Sequence, residues 1–378
     1  MLFSAACSGE KQADQVAQPS PSTASSPAPA PVTVAVTAPA ADATGVAASA
    51  EIAYKSDDPA GTTVEVKDAA GKTVAGTQDK DAKVFRPAKA LSWGKKYTVT
   101  VASTAGAGGS TASSFTVMKK PGKLVSAQSN LSEGQTVGVG MPLMIIFDRD
   151  VPKKQRAAVE RRMQVTATPA QEGSWSWTRS NEVHYRPKVY WQAKTKLSYR
   201  LHLAGVPMGD GYYGGSELTG TAKIGRSLVM TVDNKTKIMT VERDGKVAKK
   251  IPVSMGKSGF PTVSGTMLVM SKERRTVFNT IGRFTGEDAY NKEIEYAQRL
   301  TWGGQYIHAA PWSNWAQGNS NVSHGCLNVS QGLGAWLFEN TTLGDPVVIR
   351  GTGAPLENGD GWTDWNVSWA KWRKGSAL

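Results

Sequence analysis

The chain has 378 residues, 40% of them apolar, and a formal net charge of +13 at neutral pH. That length exceeds one ordinary domain, and the apolar share is enough for packed cores, so roughly two to four globular domains are expected. The basic balance favours an anionic partner such as acidic lipid or an acidic cell-wall polymer. Nucleic acid is set aside, because Lys and Arg are scattered and no helix-turn-helix, zinc-finger or aromatic-basic motif occurs. The two cysteines, Cys7 and Cys326, stand far apart in the sequence; a disulfide would only tie a tail to a domain, which leaves one thiol available for chemistry.

Met1-Leu2-Phe3-Ser4-Ala5-Ala6-Cys7 reads as the end of a bacterial lipoprotein signal, with small residues running into a Cys that would carry lipid after cleavage. The charged start and most of the apolar stretch of such a signal are missing, so the numbering is expected to begin late in it, or at an internal Met. Residues 8–42 are rich in Ala, Pro, Ser and Thr and are expected to form an extended tether. No later stretch is long and apolar enough to span a bilayer. The expected location is therefore extracytoplasmic, at the cell envelope, with Cys7 as membrane anchor.

Residues 43–119 alternate in short runs, such as Thr62 to Lys67 and Tyr97 to Val101, broken by turns such as Asp68 to Gly71. This pattern predicts an all-β sandwich of Ig-like size. A second such unit is expected over 120–222, with strands at Pro142 to Phe147, Val183 to Pro187 and Leu197 to Leu203, and one helix over Lys153 to Met163. His184 and His202 fall in those strands without ligand-spaced neighbours and are assigned no chemistry. A third, β-rich domain is expected over 223–350. Its hairpins turn at Asp233-Asn234 and Asp244-Gly245, further strands lie at Gly265 to Met270 and Pro346 to Ile349, and a helix covers Leu333 to Asn340. In 351–378, Trp365, Trp369 and Trp372 share one helix face and are expected to clasp a neighbouring domain.

The segment that carries chemistry is Ser323-His324-Gly325-Cys326-Leu327-Asn328. A thiol needs a base to become a nucleophile at neutral pH. His324 flanks Cys326, and Gly325 between them permits unusual dihedrals and close approach of a carbonyl. The backbone N–H groups of 324 to 326 would then be free to bind a developing oxyanion. His308, at the end of an apolar β-like run and before Pro311, is the second candidate base. A zinc site is disfavoured, because H-x-C plus one distant His lacks the ligand spacing and the general-base carboxylate that such sites use.

His308 followed by Ser323 to Asn328 resembles the signature of the L,D-transpeptidase (YkuD-type) catalytic domain. Ser254-Met255-Gly256-Lys257, His308 to Trp312, Gln317-Gly318 and the Trp-rich tail extend the resemblance to actinobacterial members that carry two Ig-like domains. The fold that this implies is mainly β: two Ig-like β-sandwich domains, a YkuD-type catalytic domain and a short Trp-rich C-terminal helical clasp. The implied reaction is attack by Cys326 on the carbonyl of the third residue of a peptidoglycan tetrapeptide stem, with release of D-alanine. A side-chain amine of a second stem then takes the thioester, giving a 3→3 cross-link. His308 is implied as base, the carbonyl of Ala309 as its orienting acceptor, and His324, Gly325 and Cys326 as oxyanion donors. Tyr290, Trp312, Ser323, Asn328 and Met255 are implied around the substrate, no cofactor is implied, and carbapenem β-lactams are implied as covalent inhibitors. Two other readings stay open at this level: an L,D-carboxypeptidase using the same thiol, and a wall-binding Ig-domain lipoprotein with a dead enzyme domain.

Overall fold

The computed structural model describes residues 32–105, 108–282 and 285–378. Cys7 and most of the expected tether lie outside these residues. The N-terminal sandwich has one sheet ordered Val34–Ala38, Ile52–Ser56, Val84–Pro87, Gly76–Asp79. Its second sheet is ordered Ala43–Val46, Gly109–Val117, Lys96–Ser103, Thr62–Asp68. Alternating residues from both sheets, among them Ile52, Tyr54, Val66, Val99 and Phe115, fill the space between them. The first strand corrects the sequence reading: Val34–Ala38 pairs with Ile52–Ser56 and so belongs to the sandwich, not to a linker ending at residue 42. Its Val-Ala-Val alternation supplies the half-buried face that a strand needs.

The second sandwich pairs Ala127–Ser129, Leu143–Phe147, Glu182–Pro187 and Gly173–Trp177 in one sheet. The other holds Gln135–Val137, Leu218–Ile224, Lys196–Leu201 and Met163–Thr168. The helix is Lys153–Glu160, and Met163 already begins the next strand. The last strand runs through Ile224, two residues past the expected boundary at 222.

The C-terminal domain is built on two sheets. A five-stranded sheet is ordered Lys246–Pro252, Ile238–Arg243, Leu228–Asp233, Pro346–Arg350, Gly265–Leu268. A four-stranded sheet is ordered Ser271–Asn279, Asn291–Arg299, Tyr306–Ala309, Leu327–Val329. Their inner faces, with Leu337 from the helix Gln331–Asn340, form one core that includes Met230, Val241, Ile251, Val253 and Met255. Gly334 lets that helix lie directly on the His308 strand, since a Cβ there would stand 3.0 Å from the Ala309 Cβ.

The second sandwich and this domain are joined by buried polar contacts. Arg226 binds the fully buried Asp345 through both terminal nitrogens (2.8 and 3.2 Å), and Gly138 N donates to Leu343 O at 2.7 Å. The tail closes over the same junction as a clasp. Trp365 Nε1 donates to Gly140 O (2.7 Å) and Trp372 Nε1 to Ser174 O (3.0 Å), while Asn366 exchanges two hydrogen bonds with the backbone of Thr266. Arg186 of the sandwich is buried among Trp365, Trp369 and Trp372, with ring centroids 4.5, 5.5 and 4.5 Å from its guanidinium carbon.

His184, expected to be chemically idle, is held between two carboxylates: Nδ1 lies 2.6 Å from Asp364 of the tail and Nε2 2.6 Å from Glu182. Burial alone would push the imidazole down, but the two carboxylates outweigh it and raise its pKa to about 9. The charged imidazole therefore adds stability that is fully present below pH ~6.5 and is lost as pH rises through about 9. Replacing His184 with Gln should cost on the order of 3 kcal/mol at pH 6. The deficit should shrink as pH approaches 9.5. Denaturant unfolding of both proteins across pH 6 to 9.5 measures this, and parallel stability curves would rule out a charged His184.

Candidate active site

The strands Tyr306–Ala309 and Leu327–Val329 run parallel, with Ile307 opposite Leu327 and His308 opposite Asn328. Side chains two apart on an extended chain share a face, so Cys326, just before its strand, falls on the face that carries Asn328 and His308. The result is a cleft of about 330 Å³ lined by both residues together with Tyr290, Trp312, Ser323, His324 and Asn328. A larger cavity of about 970 Å³ lies at the junction of the second sandwich and the tail, away from Cys326.

The motif loop is pinned from several sides. Asn328 N donates to Ser254 O (2.8 Å) and Ser254 N to Asn328 O (3.0 Å), while Ser323 N donates to Met255 O (3.0 Å) and Lys257 N to Ser323 O (2.9 Å). The Ser323 hydroxyl donates to Cys326 O at 2.7 Å and accepts from Gly325 N at 3.1 Å. Thr262 Oγ1 accepts from Gly256 N and donates to Gly325 O, at 2.9 and 2.8 Å. Gly325 has φ +116°, a conformation that disfavours any side chain.

His308 is 4% exposed, and its Nδ1 donates to the carbonyl of Ala309 at 2.9 Å. That bond fixes the neutral tautomer and leaves Nε2 as the acceptor. Burial pushes the His308 pKa down to about 4. The Ala309 carbonyl opposes this and the nearby charge of Lys292 reinforces it. Cys326 is 9% exposed, and burial pushes its thiol up to about 12, with the Tyr306 backbone N–H partly offsetting. The sulfur donates to Gly304 O at 3.8 Å rather than to His308. Both shifts favour a neutral thiol and a neutral imidazole in the resting cleft. Such a pair can still transfer its proton as the sulfur attacks, because catalytic contacts tighten when substrate binds.

Other expected site residues divide. His324 reaches the cleft, and its Nε2 lies 2.6 Å from Asp288, which also binds Lys257 Nζ at 2.6 Å. Tyr290 packs against His324 with ring centroids 5.4 Å apart, and Trp312 lies 6.1 Å from the His308 ring and is 43% exposed. Asn328 Nδ2 donates to Ser313 Oγ at 3.1 Å, while its buried Oδ1 has no partner among the described residues. Gly325 N–H is not free for an oxyanion, because it is spent on Ser323. Met255 does not reach the cleft: it is 0% exposed and belongs to the core. Ile251, Val253 and Met255 share the inward face at period two, and that alternation was the signal against a substrate contact. Sequence reasoning missed Asp288 and Lys292. Both sit where a hairpin folds back over the cleft, and nothing local in Gly286 to Lys292 marks that contact.

A free thiol and an imidazole held in one cleft of a β domain, behind two β-sandwiches, define an acyl-transfer enzyme carried on sandwich modules. Residues 43–207 match the Bacterial Ig domain family and residues 227–349 the L,D-transpeptidase catalytic domain family. L,D-transpeptidase 2 of Mycobacterium tuberculosis is 32% identical over 340 residues, 89% of this chain and 83% of that protein. L,D-transpeptidase 5 of the same species is 33% identical over 83% of this chain and 70% of its own length. A solved L,D-transpeptidase in complex with imipenem superposes with TM-score 0.52 at 34% identity, covering 61% of this chain and 100% of that one. The chain belongs to the L,D-transpeptidase family.

A protonated resting thiol has a kinetic signature. Alkylation by iodoacetamide should be slow at pH 7 and should rise about tenfold per pH unit to pH 10 without a plateau. A rate already flat above pH 6 would mean a resting thiolate. Gly325→Ala should cut alkylation and turnover by about 100-fold, through backbone strain at the loop that places the sulfur, and should lower unfolding stability by about 1–3 kcal/mol while remaining folded.

Proposed function

We propose that this enzyme is a peptidoglycan L,D-transpeptidase that forms 3→3 cross-links through a thioester on Cys326. The observation that carries the reading is the register placing His308 and Cys326 on one face of adjacent parallel strands, in a cleft open to a peptide. In the first half-reaction the sulfur bonds to the carbonyl carbon of the third stem residue while His308 Nε2 takes the thiol proton. The C–N bond then breaks, and that proton leaves with the amine of D-alanine. In the second, the side-chain amine of another stem attacks the thioester, a new amide forms, the C–S bond breaks, and the amine's proton returns to the sulfur through His308.

The Tyr306 backbone N–H, which faces the sulfur, joins the Cys326 N–H as the donor pair best placed for the oxyanion. His324, tied to Asp288, and Gly325, by its backbone shape, position that loop. Tyr290, Trp312, Ser323 and Asn328 line the peptide's path. β-Lactams are expected to acylate Cys326: relatives were solved with imipenem and, for L,D-transpeptidase 3 of Mycobacterium tuberculosis, with a faropenem-derived adduct. A lipid on Cys7 and a tether into the wall would hold the enzyme outside the cytoplasm, facing the anionic polymer that its net charge of +13 suits.

The test is chemical. Wild type with a carbapenem should gain one adduct mass, mapped to the Cys326 peptide, and Cys326→Ala should gain none. With two tetrapeptide stems it should release D-alanine and yield a cross-linked dimer, whereas D-alanine release with tripeptide alone would assign the carboxypeptidase reaction instead. His308→Ala should slow acylation by about 10²- to 10⁴-fold.

A further inference from the structure

Lys292 opens the strand Asn291–Arg299 and lines the cleft beside His308, Trp312 and Cys326. Its ammonium lies 3.5 Å from the centroid of the Trp312 ring, which holds the charge against the wall. The carboxylates nearby are taken. Asp288 binds Lys257 and His324, Glu293 lies 4.0 Å from Arg275, and Glu295 binds Arg274 at 2.7 Å. Among the described residues, no Asp or Glu oxygen stands within ion-pair distance of Lys292. A cation on a cleft wall with its aromatic support built in and its counter-ion missing is arranged for an anion brought by the ligand.

The reaction supplies such an anion at a fixed place. In a donor that ends one residue beyond the scissile bond, the terminal carboxylate is separated from the leaving nitrogen by a single Cα. His308 must reach that nitrogen to return the proton, so the carboxylate must lie close to His308, and Lys292 is the cation there. The Coulombic effect of Lys292 on His308 is a second sign that the two are near each other. We propose that Lys292 is the specificity residue of the donor site, pairing with the terminal carboxylate of the leaving D-amino acid and so selecting stems that end one residue past the bond to be broken. A donor one residue longer presents a neutral amide where the carboxylate should be, and leaves the ammonium without its partner. This assignment rests on the transpeptidase reading above.

The experiment compares a tetrapeptide donor as free acid with the same peptide as its C-terminal amide, scoring release of D-alanine or D-alaninamide as kcat/KM. Wild type should prefer the acid by about 10- to 100-fold. Lys292→Gln should lose that preference, bringing the acid-to-amide ratio of kcat/KM to within about threefold of one, with the loss on the acid mainly in KM. Lys292→Arg should keep most of the preference, which a merely structural role for the side chain would not require. Equal use of acid and amide by wild type overturns the proposal without any variant, and so does an unchanged acid-to-amide ratio in Lys292→Gln. Failure of wild type to release D-alanine from either donor, while Cys326 still alkylates, overturns the transpeptidase reading and this assignment with it.

Discussion

Backbone pairing between Tyr306–Ala309 and Leu327–Val329 sets His308 opposite Asn328, and the rest of the site is built around keeping that register. A slip of one residue would turn either His308 or the Cys326–Asn328 pair into the core. Three things oppose a slip. Asn328 exchanges two backbone bonds with Ser254, which ties this edge strand to the second sheet. The helix Gln331–Asn340 begins two residues after the strand and lies on Ala309, so close that a Cβ at 334 would stand 3.0 Å from the Ala309 Cβ. The Ser323 hydroxyl closes the loop ahead of the strand by bonding at both ends of Gly325-Cys326.

The same packing sets the chemistry. Burial raises the Cys326 thiol and lowers the His308 imidazole, so both shifts oppose charge separation in the resting cleft. The cleft thereby favours the neutral pair. It stores an oriented proton acceptor, with Nδ1 committed to the Ala309 carbonyl and Nε2 left open. In the proposed reaction, proton transfer would become favourable only when the forming C–S bond and the donors around the carbonyl oxygen take up the negative charge. A buried neutral pair also resists adventitious alkylation and oxidation, which suits a thiol that must wait for a bulky substrate.

How much of this was legible in the sequence follows from what each signal measures. Alternation within a strand is local, so the sandwiches, the hairpins of the third domain and the Trp face of the tail could be read directly. Val34–Ala38 escaped because an Ala- and Pro-rich composition masked a short alternating run whose partner, Ile52–Ser56, lies beyond a second strand. Cys326 and His308 were visible as a motif of reactive types. Met255 was placed by resemblance alone, and the period-two burial of Ile251, Val253 and Met255 overrides it. His184 looked idle because one of its two carboxylates, Asp364, comes from the far end of the chain. Asp288 and Lys292 needed the return of a hairpin over the cleft, a contact between segments that no local pattern encodes.

That hairpin gives the cleft an electrical polarity. On the His324 side, Asp288 is paired with the Lys257 ammonium and hydrogen-bonded to the His324 imidazole, each at 2.6 Å. On the His308 side, Lys292 rests on Trp312 with no carboxylate partner among the described residues. A peptide lying between them meets a cationic wall near the leaving group and a nearly balanced one near the motif loop. The low dielectric of a partly buried cleft makes that difference count for more than it would on an open surface. Lys292 also depresses the basicity of His308, so under the assignment proposed for Lys292 a bound substrate carboxylate would restore proton affinity to the base. Recognition of the leaving residue and activation of the base would then be two consequences of one neutralised charge.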